Sequence, residues 1–322
     1  MTRVTRRQAI GLIGASALSA CAPAIPLSQV GDDPFEGGIG GTGIVGLMTG
    51  TGSVLVNGMR VELPGAVRVF MDGARVGTAA LQPGMGLSMV ARTRLDRFEA
   101  VRIDVDTPLI GTLARHGAGF AINGTPLRPD PGLSLASHVG HRVAAHGIWR
   151  ADGAVQTSLV TAAPAGPDRL SGVLVGSAAD GWQIGQTRVE TDARLTAGQF
   201  AVAVGTYHGG RLAAQTVQMG RFREGGGTLR QLSVEGFLEP VQTAPGFRIA
   251  GLGHSFDQRL DLAPFAARRA VYFGPYDGLF RARRAVVLPQ SAAQRATLLR
   301  PDDGARISGG IGAENTLPVI RK

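Results

Sequence analysis

Apolar residues in this chain come in short runs that alternate with polar ones and stop at glycine. "GLSMVART", "RVAAHGIW", "FAVAVGTY" and "AVYFGPY" each switch between small or polar and large apolar positions. A period of two with glycine-marked ends predicts half-buried strands joined by tight turns. Asn57-Gly58 and Asn123-Gly124 follow such runs. This dipeptide supplies the two positive φ angles of a type I′ hairpin turn. Past the first forty residues, helical periodicity is confined to Ser291–Leu299. The pattern predicts an all-β chain.

The runs also repeat. Four stretches begin "GIVGLMTGTGSVLVNGMRV" (Gly43), "LIGTLARHGAGFAINGTPL" (Leu109), "LSGVLVGSAADGWQIGQTRV" (Leu170) and "VEGFLEPVQTAPGFRIAGLGHSF" (Val234). Their lead glycines, Gly46, Gly111, Gly172 and Gly236, are spaced by 65, 61 and 64 residues. The Asn-Gly hairpin signal of the first two copies decays to Gly185-Gln186 and Ala250-Gly251 in the others. A glycine-marked turn follows, Leu81-x-x-Gly84 or Leu195-x-x-Gly198, then an alternating strand and a closing one. Closure into a small barrel removes the exposed strand edges such a unit would otherwise have. The expected fold is therefore tandem small OB-like β-barrels, with the Leu-x-x-Gly turn where OB folds often carry a helix. The copies occupy 41–106, 107–167, 168–228 and a divergent 229–290, with a C-terminal tail at 291–322. One unit alone has a marginal core, so the units are expected to pack as a compact string. Loose junctions are expected near Pro164–Pro167 and Gly225–Gly227.

The stretch "GGIGGTGIVG…GSVLVNGMRV" (Gly37–Val61), followed by "MDG", "LQPGM" and "FEAVRI", resembles the bacterial domain of unknown function 5666 family. The first copy carries the resemblance closely, the second and third loosely, and the fourth poorly, with Arg268 near the glycine of the turn. The resemblance implies OB-like barrels in exported proteins and supplies no catalytic residues.

The first residues read as an address. Arg3, Arg6 and Arg7 precede an uncharged run, Ala9–Ala20, that ends at Cys21, the single cysteine of the chain. That run is too short for a membrane-spanning helix, which needs roughly 20 apolar residues. Residues 1–20 therefore read as a signal peptide, and Arg6-Arg7 is similar to the twin-arginine export signal. Leu18-Ser19-Ala20-Cys21 resembles a lipobox, in which the cysteine is lipidated and becomes N-terminal. Acyl chains on Cys21 hold a protein to a membrane without a spanning segment. Ala22 after the cysteine points to the outer membrane, facing the periplasm. Residues 21–40 form an acidic, Gly- and Pro-containing tether.

Composition adds exclusions. The 48 glycines among 322 residues show no period of three, so collagen-like structure is excluded. The net charge of +9 falls to about +6 without the three signal arginines. In an exported lipoprotein this excess does not read as nucleic-acid binding, and "RARR" (Arg281–Arg284) reads as a solvated strand face. Asp104 and Asp106 read likewise as solvated. No nucleophile elbow or phosphate loop is present. His138, His141 and His146 are the candidate metal ligands. In a strand starting near His141, however, His141 and His146 point to opposite faces. The slot of His146 also holds Val90, Val204 and Phe273 in the other copies. No metal, cofactor or covalent catalysis is expected.

Two functions fit. One is an anchored binding or structural module that uses barrel faces, with exposed aromatics such as Trp149, Tyr207 and Tyr276, for an envelope protein or glycan. The alternative is an envelope hydrolase or other enzyme with its site in an inter-repeat cleft. Lipidation is directly testable: Cys21→Ser is expected to move the protein from the membrane to the soluble fraction of lysed cells, and retention in the membrane would place the anchor elsewhere.

Overall fold

The computed structural model describes residues 41–94, 97–222, 226–240, 247–253, 255–258, 268–289, 293–295 and 319–321. In the first unit, strand β1 (Gly41–Gly50) forms a hairpin with β2 (Val54–Val56), which continues into β3 (Met59–Glu62). A second hairpin, β4 (Arg68–Met71) and β5 (Ala74–Val76), turns at Asp72-Gly73. Then come β6 (Gly86–Arg94) and β7 (Arg97–Asp106). β1 pairs antiparallel with both β2 and β6, β6 with β7, and β3 runs parallel to β7. That closed circuit is the connectivity of an OB barrel.

The circuit recurs. The second unit builds it from β8 (Leu109–His116), β9 (Gly119–Ile122), β10 (Thr125–Pro129), β11 (Arg142–Trp149) and β12 (Val155–Ala162). The third uses β13 (Asp168–Ser177), β14 (Gly181–Ile184), β15 (Thr187–Glu190), β16 (Phe200–His208) and β17 (Arg211–Met219). The fourth has β18 (Leu229–Pro240), β19 (Phe247–Ile249), β20 (Ser255–Gln258) and β21 (Arg269–Pro275). Its last strand breaks at Arg283 into β22 (Leu279–Ala282) and β23 (Arg284–Val287). The parallel closure is again present, β20 with β22. The fold is all-β, a tandem of OB-like barrels; the signal segment and tether, with Arg6, Arg7 and Cys21, lie outside the described residues.

The repeat glycines have a mechanical reason. A Cβ on Gly46 would lie 2.1 Å from Asn57 Oδ1, and one on Gly111 2.3 Å from Asn123 Oδ1. On Gly172 and Gly236 it would meet Ile184 and Ile249 at 2.7 and 2.5 Å. The first strand is thus bare where the tip of the hairpin folds onto it. Asn57 and Asn123 adopt φ angles of 54° and 51°, and their glycines follow at 78° and 74°, which makes both turns type I′. The turn glycines behave alike. Gly84, Gly140 and Gly198 donate to the carbonyls of Met48, Leu113 and Leu174, each two residues past a lead glycine. Where OB folds often carry a helix, the first two units make single 3-10 turns before these glycines, Thr78–Ala80 and Ala136–His138.

Each last strand also carries one extra residue. Val90 faces Arg102 and Ala91 faces Ala100, which leaves Val101 bulged. Ser158 and Gln215 are bulged in the same way against Gly147 and Gly205. A Cβ at either glycine would sit about 2 Å from a carbonyl oxygen of the bulged strand. Bulges of this kind increase twist and help a sheet close on itself.

The strand joints are not all between units adjacent in sequence. β1 of the first pairs parallel with β18 of the fourth, and β8 of the second pairs antiparallel with β13 of the third. The buried asparagines make both joints. Asn57 Nδ2 donates to Val45 O of its own barrel and to Ser233 Oγ of the fourth, at 3.0 and 2.9 Å. Asn123 Nδ2 donates to Ile110 O and to Arg169 O of the third, at 2.9 and 3.2 Å. Ser233 and Arg169 both stand three residues before a lead glycine. The second and third barrels share one continuous apolar core, whereas the first and fourth keep separate ones that touch through Val45 and Val90.

The expected loose junction at Pro164–Pro167 is pinned: the Arg142 guanidinium donates to the carbonyls of Pro164 and Pro167 and to Asp168. Beyond residue 290, the described residues make contacts with the barrels. Arg295 reaches buried Asp130, and β24 (Val319–Arg321) pairs with β23.

Gly111→Ala is expected to destabilise the protein by about 1–3 kcal/mol in denaturant unfolding, because the new methyl displaces the Asn123 amide. Gly65→Ala, at an ordinary φ with open space around it, is expected to stay within about 0.5 kcal/mol.

Candidate functional site

The four barrels meet around two side chains, one that the sequence suggested was exposed and one that it did not single out. Trp149, at the end of β11, is buried, and its Nε1 donates to Ser171 O of the third barrel at 2.8 Å. Its ring lies on Gly172 and Gly185 of the third barrel and Gly251 of the fourth, where any Cβ would approach it to within 2.4–2.8 Å. The decay of Asn-Gly in the last two copies therefore leaves room for this indole.

Arg221 follows β17 and is buried. It donates to Ser88 Oγ and Asp106 Oδ2 of the first barrel and to the carbonyls of Gly251 and Leu252 in the fourth. Its guanidinium stacks 3.9 Å from the Phe200 ring of the third. A void of about 30 Å³ between Trp149 and Arg221 marks the common point.

Beside it runs a buried ionic chain. Glu235 accepts from Leu47 N and from Arg269 Nε, both at 2.7 Å. Arg269 Nη1 stands 3.7 Å from Asp130 Oδ2, which Arg295 also contacts. Gln156 donates to the other Asp130 oxygen at 2.8 Å. Removing one member of such a set strands a buried charge, so the chain fixes register between the first, second and fourth barrels.

Several sequence expectations are corrected here. Trp149 is core, and Tyr207 and Tyr276 are half-buried, so these three do not form an exposed aromatic face. Asp104 is held by both nitrogens of an Arg102 fork, and Asp106 by Ser88 and Arg221, so neither is simply solvated. Arg284 is buried with its guanidinium 5.4 Å from the Phe273 ring, while Arg283 next to it is exposed, as alternation along a strand dictates.

The histidines separate. His138 is half-exposed on its 3-10 turn, and His141 is exposed, its carbonyl accepting from Leu113 N. His146 is 1% exposed within β11, with Nε2 3.4 Å from Thr161 Oγ1. Among the described residues no three His, Cys, Asp or Glu side chains gather as a metal site.

Two surface features bear on the functional readings. A cleft of about 210 Å³ lies between the first and third barrels, lined by Phe70, Asp72, Arg102, Asp104 and Arg169. A wider groove of about 720 Å³ lies on the third barrel alone. Trp182 of β14 and Arg188 and Glu190 of β15 form its floor, and the 191–196 segment forms its wall. The Arg188 guanidinium lies over Gly181, where a side chain would block it at 2.6 Å. Trp182 is one of only two tryptophans in the chain, the one signal that sequence reasoning had for this groove and passed over. Compared with known protein families, curated proteins and solved structures, the chain finds a match in none of the three.

Burial draws the His146 pKa from 6.5 to about 4, so the folded protein holds it neutral. Below pH 6.5 the unfolded chain binds the extra proton, so stability is full above that pH and falls until about pH 4, by roughly 3 kcal/mol. His146→Val, the residue of the first and third copies, is expected to flatten this acid limb in urea titrations at pH 7, 5.5 and 4.

Proposed function

We propose that this protein is a lipid-anchored periplasmic binding module, held to the outer membrane through Cys21, whose barrels form a scaffold presenting one ligand face. The Trp182 groove carries this reading. It lies on the second and third strands of an OB-like barrel, the face on which such folds bind oligosaccharides and oligonucleotides. An indole beside Arg188, Glu190 and Asp192 offers an apolar plate with charged hydrogen-bonding groups around it. That combination suits a polyhydroxylated chain, and in the cell envelope that means a glycan.

An envelope hydrolase is the second reading, and the cleft between the first and third barrels is the observation in its favour. Its carboxylates are engaged, Asp104 with Arg102, Asp106 with Arg221 and Asp72 with Arg169 at 3.6 Å. Such pairing serves positioning better than proton transfer, which argues for the binding reading.

The test is co-sedimentation of the Cys21→Ser protein with purified cell-wall sacculi and with polysaccharide-free membranes. Binding to sacculi that weakens at least about tenfold in Trp182→Ala and Arg188→Ala, with unchanged far-UV spectra, is the expected result. Equal retention of both variants, or release of soluble fragments from the sacculi, would refute it, the latter in favour of the hydrolase.

A further inference from the structure

The bulge in each closing strand divides it into two halves with different neighbours. Before the bulge, the outer edge pairs in parallel with the third strand of its own barrel: β3 with Phe98–Glu99, β10 with Val155–Thr157, β15 with Arg211–Ala213 and β20 with β22. After the bulge, that third strand no longer reaches the edge. In the first barrel an added strand covers it: β4 pairs with Arg102–Val105, beginning at the residue after Val101. In the fourth, β24 pairs with Arg284–Val286, beginning at the residue after Arg283. In the second, the turn of the first barrel covers it. Ser158 Oγ donates to Gly84 O at 2.6 Å, and Leu159 packs on the first barrel's core.

The third barrel differs. Thr216–Met219 pair with β16 on one side, and among the described residues no strand lies on the other. Thr216 and Gln218 are exposed, and Val217 and Met219 half-buried.

Natural proteins blunt an open edge with lysine, proline, inward charge or a cover. Ala214–Met219 carries no charge and no proline. The edges that added strands cover in the first and fourth barrels carry Arg102, Asp104 and Arg284. The uncovered edge is thus uncharged, as is Leu159–Ala162 of the second barrel, which the first barrel's turn covers. An uncharged edge is also self-complementary. Turned about a two-fold axis it meets its own copy antiparallel with no like charges opposed, and a two-fold pairing closes without propagating into fibres.

We propose that Thr216–Met219 of β17 is a dimerisation edge, at which a second copy of this chain adds its own β17 antiparallel and continues the ten-stranded sheet across the two-fold axis. The added strand occupies the place that β4 and β24 fill in the first and fourth barrels. No residue of Thr216–Met219 lines the Trp182 groove, so this pairing does not depend on how that groove is used. It would present two grooves per particle.

The test uses the full chain with Cys21→Ser, which removes both the anchor and the native thiol. Sedimentation equilibrium up to ~100 µM is expected to show a dimer. The double variant Thr216→Lys/Gln218→Lys, with both changes at exposed positions, is expected to be a monomer with an unchanged far-UV spectrum and Tm. In the same background, Gln218→Cys is expected to give a covalent dimer with a short bis-maleimide, and Arg115→Cys, exposed on the second barrel, is not. A parent that stays monomeric throughout, a dimer that survives both lysines, or equal cross-linking at 115 and 218 would overturn the proposal.

Discussion

The structure depends on a contact made possible by a missing side chain. Gly46 and Gly111 leave the first strand of their barrels bare, and the amide of Asn57 or Asn123 lies in the space. From there each amide reaches one carbonyl of its own barrel and one polar atom of another. A buried amide must find partners or lose stability. The position that pairs the amide nitrogen also sets how two barrels meet. The same small motif thus closes a hairpin, seats it on the first strand and hooks the first barrel to the fourth and the second to the third.

This division of labour accounts for the divergence between the copies. The first two supply the hooks and keep Asn-Gly. The third and fourth receive them, and with no amide to seat they place Ile184 and Ile249 against their lead glycines. Their turns shrink to Gly185 and Ala250-Gly251, which opens the space that Trp149 fills. Arg221 then ties the first, third and fourth barrels at the same point, and the Asp130–Arg269–Glu235 chain ties the second to the fourth. A scaffold joined in this way holds its outer faces in fixed relation. This suits a protein whose ligand contacts lie on an exterior groove, and the proposed activity requires no further machinery.

Much of the architecture was legible because it is local. Asn57-Gly58 and Asn123-Gly124 specify their turns through backbone geometry alone, and the alternation in "GLSMVART" or "FAVAVGTY" specifies strands with one buried face. The lead glycines gave the period of the repeat. What was hidden is non-local. Nothing near Trp149 in the sequence says that three glycines from two other barrels surround it, so its size suggested a surface role. Nothing near Arg221 or Arg269 marks them, because their partners lie far away in sequence. The Pro164–Pro167 junction read as loose because proline and glycine mark linkers, whereas Arg142 pins it from β11. The groove was the least legible part, since its floor is two short strands and only Trp182 stands out by type. The segments in which lipidation and export signals are expected lie outside the described residues.

The central claim is that hooks, indole and ion chain make four small barrels one cooperative unit. Scanning calorimetry of the Cys21→Ser protein tests it most directly. The account predicts a single transition whose calorimetric and van't Hoff enthalpies agree. Two or more separable transitions, with the second and third barrels melting apart from the first and fourth, would contradict it.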